Sequence, residues 1–221
     1  MTARAAVLLA LLLLPAAATA GEVTGRVLYA GAPPAAGATL EATKDRETCG
    51  PAVPDESLLV SEGGVENAVV RVEVPGFRAE PRLLTLDQRR CRYLPRAQAA
   101  SPGSTLELRN GDPVLHNVHG YAGAATAFNV PMPFQDASTR RTLARPGVIR
   151  VGCDVHAWMA AAIVVTETPF VAVTGKGGRF SLAGLPAGSW QAVAWHERLG
   201  ERRAVVQVPA SGAAALDFSY P

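Results

Sequence analysis

The amino-acid sequence predicts an all-β protein made of two small sandwiches. Short runs rich in Val, Leu, Ile and Thr recur along the chain, and several of them alternate apolar and polar residues with a period of two. Turn-forming residues separate these runs, since the chain has 17 prolines and 21 glycines. Outside the first twenty residues, no segment carries the sustained 3.6-residue apolar stripe of an amphipathic helix. These observations favour β-sandwiches over an α/β enzyme.

The composition excludes several classes of function. The formal net charge is only +2 and there is no long basic run, so nucleic acid is not an expected partner. The sequence lacks a Gly-rich phosphate loop, a G-x-S-x-G motif and an H-E-x-x-H motif. We therefore expect a binding or carrier protein and not an enzyme.

The first element, residues 1–20, has the pattern of a secretion signal. It has a basic start at Arg4, an apolar stretch from Ala5 to Leu14 and an A-x-A cleavage site at Ala18-Thr19-Ala20. The apolar stretch is too short for a retained membrane span, and no later stretch is long and uncharged enough to be one. We expect a secreted protein that starts at Gly21 after cleavage, with a bacterial periplasm as its first-choice compartment.

Export changes how the three cysteines are interpreted, because an oxidising compartment favours disulfides. An odd count leaves one thiol free or bound to something else. Cys49 and Cys91 have no His or Met nearby in the sequence, whereas Cys153 does. The economical assignment is a Cys49–Cys91 disulfide with Cys153 as a thiolate ligand, although sequence alone does not fix the connectivity.

The stretch VGCDVHAWM holds three side chains that bind metals, namely Cys153, His156 and Met159. Strand parity places Cys153 on the inward face with Ile149 and Val151, at the end of the predicted strand VIRVGC. Met159 has the parity of the inward residues of the next strand. Two adjacent strands therefore bracket a short loop with a sulfur at each base and an imidazole between them.

A fourth ligand is expected from the segment VLHNV. Val114, His116 and Val118 share one strand face, so the imidazole of His116 points the way the core valines do. Such a His is more often a hydrogen-bonded core residue, but a Cys-His-Met loop nearby favours the ligand interpretation. A thiolate, two imidazoles and a thioether form the donor set of one-electron copper sites. Zinc sites more often use Cys and His without Met.

These residues also resemble a known family. The pattern C-x₂-H-x₂-M, with an upstream His in an N-x-D…H-N-V context, is similar to the cupredoxins, and its short spacing resembles amicyanin. The resemblance implies one copper ion per chain, cycling between Cu(I) and Cu(II), with His116, Cys153, His156 and Met159 as ligands. It implies that Asn117 ties the two ligand loops together. It also implies that an exposed imidazole edge of His156 passes electrons to a partner.

Three further residues near the pattern have open roles. His119 is a surface residue, a second metal ligand or an electron-transfer contact. Trp158 is expected to pack over the site and limit the access of water. His196, in AWHERLG, is either a surface His with local charge partners or a residue that lines a domain interface or approaches the copper site.

The C-terminal stretch TPFVAVTGKGGRFSLAGLPAGSWQAVAWHE resembles carboxypeptidase-regulatory-like, transthyretin-like sandwiches, and GEVTGRVLYAGAP resembles the opening of the same fold. GKGG is expected to be a hairpin turn. We predict an N-terminal β segment at 21–80, a Greek-key cupredoxin-like sandwich at 81–166 and a second sandwich segment at 167–221. The segments 21–80 and 167–221 either form one sandwich or are independent. The combination resembles bacterial methylamine-utilization-type periplasmic proteins.

Two functions compete for the predicted site. The first is a one-electron carrier that serves a redox partner protein. The second is copper delivery, resistance or sensing with a copper-transfer partner, although transfer proteins more often use Met-rich and His-rich open sites. A non-catalytic β-sandwich binding module is a third interpretation, which the tight ligand loop disfavours.

Overall fold

A computed structural model describes residues 21–221, and the predicted signal at 1–20 lies outside the described residues. Within the described part, no helix has the length and apolar character needed to cross a membrane. The prediction of an all-β fold is confirmed, because the described residues form 21 strands and only two short helical turns.

The strands of the first half are β1 (Gly21–Tyr29), β2 (Thr39–Glu41), β3 (Ala52–Pro54), β4 (Val60–Ser61), β5 (Gly64–Val65), β6 (Val69–Glu73), β7 (Leu83–Gln88), β8 (Tyr93–Leu94), β9 (Ala97–Ala100) and β10 (Ser104–Asn110). The strands of the second half are β11 (His116–Ala122), β12 (Ala125–Met132), β13 (Ser138–Leu143), β14 (Gly147–Gly152), β15 (Ala160–Val165), β16 (Val171–Val173), β17 (Arg179–Leu185), β18 (Gly188–His196), β19 (Gly200–Val208), β20 (Ala213–Ala215) and β21 (Phe218–Tyr220). The helical turns are α1 (Arg46–Cys49) and a 3₁₀ turn, Lys176–Gly178.

One sandwich is built from both ends of the chain. Strand β1 pairs with β5, β17, β20 and β21, and the facing sheet has the order β16-β6-β18-β19. Its core consists of small and branched apolar side chains such as Val23, Val70, Leu185 and Ala194. The strand pairs therefore join the segment before residue 80 to the segment after residue 167. The boundaries 81–166 stay a prediction, and so does the resemblance to transthyretin-like sandwiches.

The predicted GKGG hairpin is wrong. These residues form the 3₁₀ turn, which joins β16 to β17, and the two strands lie in different sheets. Gly177 and Gly178 both have φ near the left-handed region, at 70° and 69°. The two glycines therefore turn the chain from one sheet to the facing sheet, and sequence alone does not distinguish this crossing from a hairpin.

The second sandwich contains the predicted metal loop. Its sheets have the orders β13-β10-β7-β8 and β12-β11-β14-β15-β9. In β14, Ile149 and Val151 are buried in the core, and Val148 and Arg150 lie on the opposite face, as the period-two pattern predicts. Strands β11 and β14 are antiparallel neighbours, with His119 opposite Gly152. This pairing brings the start of β11 close to the residue that follows β14, which is Cys153.

The two sandwiches contact each other through a small apolar cluster and an ion pair. Val69 and Trp195 of one sandwich pack with Ala162 and Val164 of the other. Beside this cluster, Arg96 Nε lies 2.6 Å from Glu197 Oε1, and both side chains are largely buried. The contact places the end of β18, which includes His196, against the second sandwich.

Candidate metal centre

Three of the predicted ligands converge in the second sandwich. The Nδ1 atoms of His116 and His156 lie 2.9 Å apart, and Cys153 Sγ lies 3.8 Å from His156 Nδ1. One donor atom from each of the three residues lies within 4.8 Å of the others. His116 and His156 are 0% exposed and Cys153 is 6% exposed, so the cluster is closed to solvent.

The loop between β14 and β15 arranges two of these side chains and the nearby Met159. Cys153 follows directly after β14, and the backbone N–H of Met159 donates to the carbonyl of His156 at 2.9 Å. This bond closes the loop just before β15 begins. Met159 is buried in the same apolar cluster as Cys153. The loop thus brings its three candidate donors into one buried region, as strand parity predicts.

Each imidazole contacts a carboxylate through Nε2, the ring nitrogen that points away from the cluster. His116 Nε2 lies 3.0 Å from Asp112 Oδ2, and His156 Nε2 lies 2.8 Å from Asp45 Oδ2. A carboxylate only accepts hydrogen bonds, so each Nε2 carries a proton, and Nδ1 is the nitrogen that faces the cluster. Two ring nitrogens 2.9 Å apart are held together by a proton shared between them or by a metal ion.

The pKa values of His116 and Asp112 are shifted in opposite directions by their mutual contact. Burial alone would lower the pKa of His116, but hydrogen bonds with Asp112 and Cys153 outweigh it and raise that pKa. Burial would likewise raise the pKa of Asp112, yet bonds from His116 and from the backbone amides of Cys91 and Arg90 lower it. The contacts of His116 with Asp112 and Cys153 therefore favour a positive charge at this position.

Cys153 is the strongest candidate donor of the cluster. Burial would raise the pKa of its thiol, but a hydrogen bond from His116 and backbone amides of Asn117, His156 and Val155 lower it to about 6. The thiolate is the form that binds metals. At neutral pH this sulfur is therefore ready to bind a cation.

The distances fit a single transition-metal ion. With bonds of about 2.0–2.1 Å to nitrogen and about 2.3 Å to sulfur, two nitrogens on one ion lie at most about 4.2 Å apart. A nitrogen and a sulfur on one ion lie at most about 4.4 Å apart. The observed separations of 2.9 Å and 3.8 Å are both inside these limits. Two imidazoles and one thiolate are also the donor types that copper prefers.

The N-terminal region covers this cluster, which corrects one expectation. The predicted exposed edge of His156 is wrong, because the ring is completely buried and its Nε2 contacts Asp45 of the preceding sandwich segment. Trp158 packs on the ring of His156 with a centroid distance of 5.1 Å, and its indole N–H donates to the carbonyl of Cys91. The indole thus lies beside the ring of His156, and the role of Trp158 in limiting the access of water stays a prediction.

The predicted disulfide is confirmed, since Cys49 is bonded to Cys91 and Cys153 is free. Both bonded sulfurs lie within 4.8 Å of a ring nitrogen of His156. The disulfide therefore fastens helix α1 directly over the imidazole that the resemblance leaves exposed.

Asn117 joins the two ligand loops. Its side-chain Nδ2 donates to Asp154 Oδ2 at 2.8 Å, and the backbone N–H of Asp154 donates back to Asn117 Oδ1 at 2.6 Å. Tyr93 is fully buried beside this link, and its hydroxyl contacts the carbonyls of Asn117 and Gly152. These bonds hold β11 and the loop after β14 at a fixed separation.

The two remaining histidines lie outside the cluster. His119 is partly buried, with Nδ1 at 3.1 Å from Asp154 and Nε2 at 2.9 Å from Thr126, and it stacks on Tyr121. The surface interpretation of His196 is wrong, because that residue is 1% exposed and lies between Trp195 and Glu197, which contact the second sandwich. Burial, and then the charges of Arg96 and Arg198, lower the pKa of His196 to about 4.

Sequence reasoning missed the roles of three residues in the site, namely Asp45, Asp112 and Tyr93. Asp112 lies four residues before His116, a spacing that could have suggested a contact. Asp45 lies 111 residues before His156, and no local signal connects the two. Tyr93 is separated from its partners in the same way.

No protein-family model matches the chain, and no curated protein matches it. Among solved structures, a copper-containing nitrite reductase from Thermus scotoductus is 23% identical, with a TM-score of 0.36 over 44% of this chain and 25% of that one. This chain thus spans about a quarter of the length of that enzyme. A reduced mutant of amicyanin is 21% identical, with a TM-score of 0.36 over 44% of this chain and 98% of that one. A purple cupredoxin from Nitrosopumilus maritimus is 19% identical, with a TM-score of 0.34 over 39% of this chain and 100% of that one.

Proposed function

We propose that this chain is an exported one-electron carrier with a single copper ion bound by His116, Cys153, His156 and Met159. One observation carries the proposal: the Nδ1 atoms of His116 and His156 and the sulfur of Cys153 converge at buried positions, at distances that suit one ion. Each imidazole donates its Nε2–H to a carboxylate, which leaves Nδ1 as the nitrogen that can bind the ion. When bound, copper would supply the Cu(I)/Cu(II) couple.

Copper is favoured over zinc by the position of Met159. A His₂Cys set with a weak axial thioether is typical of electron-transfer copper sites, whereas structural zinc usually takes four Cys or His ligands. Met159 is buried in the apolar cluster that contains Cys153. Its thioether is therefore a candidate for the weak fourth ligand.

Burial of the donors favours electron transfer over copper delivery. Delivery requires that a ligand of the acceptor reach the ion, but His156 is completely buried and Cys153 nearly so. An electron needs no such contact. The chain's hydrogen bonds also hold the ligands in place: Asp112 and Asp45 fix the imidazoles, and Asn117 fixes the loop of Cys153. A fixed geometry suits both oxidation states and keeps the exchange of electrons fast.

The compartment and the partner belong to the same proposal. We infer a periplasmic location from the signal pattern at 1–20 and from the disulfide. The partner is a redox protein, and the chain itself performs no catalysis. Any link to methylamine oxidation rests on the sequence resemblance alone.

Optical and electron-spin spectra of the copper-loaded protein test this function. We expect an intense visible thiolate-to-copper band and one Cu(II) per chain. Cys153→Ser should abolish the band, because no other free thiol lies among the described residues. His196→Asn is the matched control, since it changes a buried histidine outside the cluster and should keep the band. Folded protein that takes up no copper, or a Cys153→Ser variant that keeps the band, would overturn the proposal.

A further inference from the structure

We propose that Asp45 is a positioning residue for His156, and that the Cys49–Cys91 disulfide holds it there. The inference rests on the proposed function, because it concerns an imidazole of the same site. It assigns a role to the N-terminal covering segment, Asp45–Cys49, that the cupredoxin resemblance does not include.

The backbone conformation of Asp45 indicates that its carboxylate serves the contact with His156 and not the capping of helix α1. Asp45 is the N-cap residue of helix α1, a position where Asp usually accepts a hydrogen bond from the helix backbone. Here the side chain makes no capping bond, and the residue adopts the left-handed conformation with φ 48° and ψ 41°. Its carboxylate instead reaches His156 Nε2 at 2.8 Å. Asp45 thus forgoes the capping bond and adopts an uncommon backbone conformation. In this conformation its carboxylate contacts the imidazole of His156.

The disulfide connects the carboxylates behind the two imidazoles. Helix α1 ends at Cys49, which is bonded to Cys91. The backbone N–H of Cys91 donates to Asp112 Oδ2 at 2.8 Å, and the same oxygen contacts His116 Nε2. One covalent link thus joins the segment that carries Asp45 to the turn that orients Asp112.

Two consequences follow for His156. The contact with Asp45 fixes the tautomer with the proton on Nε2 and makes the ring a stronger donor at Nδ1. A stronger donor favours Cu(II) over Cu(I), so loss of the carboxylate should raise the reduction potential. The same contact closes the Nε2 edge against solvent and reagents, which holds with or without metal.

The first experiment uses the full-length, copper-free protein. Diethyl pyrocarbonate modifies accessible imidazoles, and peptide mapping reports the modified fraction of His156. We expect slow modification in the wild type and at least tenfold faster modification in Asp45→Gly, since Gly keeps the left-handed backbone and removes the side chain. The pair Cys49→Ala and Cys91→Ala should give a similar increase. Glu47→Gln is the matched control, because Glu47 is an exposed acid on the same helix that makes no bond to the ring.

The second experiment measures the reduction potential of the copper-loaded variants. Asp45→Asn keeps an acceptor and tolerates the left-handed conformation but has no charge. We expect this variant to keep His156 protected. It should lower the preference of the site for Cu(II) over Cu(I) by about tenfold, which raises the reduction potential by about 59 mV for one electron. Glu47→Gln should leave the potential unchanged.

The outcomes separate the two proposals. If Asp45→Gly modifies no faster than Glu47→Gln, the positioning role is refuted whatever the metal content. If Asp45→Gly exposes His156 but the wild type binds no copper, the positioning role stands and the electron-carrier function fails. If copper binds and the potentials of Asp45→Asn and Glu47→Gln agree, the effect of the carboxylate on the metal is refuted.

Discussion

The buried His196 should make the stability of the fold depend on pH between about pH 4 and pH 6.5. Its pKa is lowered to about 4 in the folded protein, against an ordinary value of 6.5, first by burial and then by Arg96 and Arg198. The unfolded chain therefore binds a proton between these values while the folded chain does not. The stabilisation by neutral His196 is fully present above pH 6.5 and is lost as the pH falls toward 4.

The magnitude follows from the two pKa values. At pH 5.0 the unfolded state gains about 2 kcal/mol from protonation of this group relative to the folded state, and at pH 7.5 it gains almost nothing. Solvent screening reduces this energy little, because His196 is 1% exposed. A loss of about 2 kcal/mol is a large fraction of the stability of an ordinary domain.

Urea unfolding of the copper-free protein at pH 7.5 and pH 5.0 measures this loss. His196→Asn removes the titration and keeps an acceptor near Nδ1, which accepts the backbone N–H of Arg198. The variant loses packing at both pH values, but it should lose about 2 kcal/mol less than the wild type when the pH is lowered. Equal slopes against denaturant in all four curves would validate the comparison. Parallel losses in wild type and variant would refute the assignment.

The remaining predictions concern the surroundings of the candidate metal centre. Tyr93→Phe should cost about 1–3 kcal/mol in urea unfolding, because the carbonyls of Asn117 and Gly152 lose the one hydroxyl hydrogen that they share; no change would show that water replaces the hydroxyl. Met159→Leu should keep copper and raise the reduction potential, since an axial donor is lost; loss of all copper would contradict a weak axial role. The pair Cys49→Ala and Cys91→Ala should lower the free energy of unfolding by about 4 kcal/mol, because the link spans 42 residues. A loss below about 1 kcal/mol would indicate a constrained unfolded state.

The sequence could indicate that His116, Cys153 and His156 lie together because the information is local. Strand parity places Cys153 inward, and pairing of β11 with β14 is the reason that His116 lies beside it. The short spacing to His156 leaves the loop few ways to close. His196 shows the opposite case. Its neighbours Glu197 and Arg198 suggest a surface, but Glu197 pairs with Arg96 of the other sandwich, and this contact depends on how the two units pack.

The sequence predicts the disulfide, but it does not predict that the segment Asp45–Cys49 covers His156. The count of cysteines and the absence of His or Met near two of them favour the pairing of Cys49 with Cys91, although they do not fix it. A connectivity states which residues are joined, but it does not state what the joined segment contacts. Asp45 reaches the ring only because α1 lies over the loop after β14, with its N-cap in a left-handed conformation. For this reason a motif can point to candidate donors, while the access to them is decided by residues more than a hundred positions away.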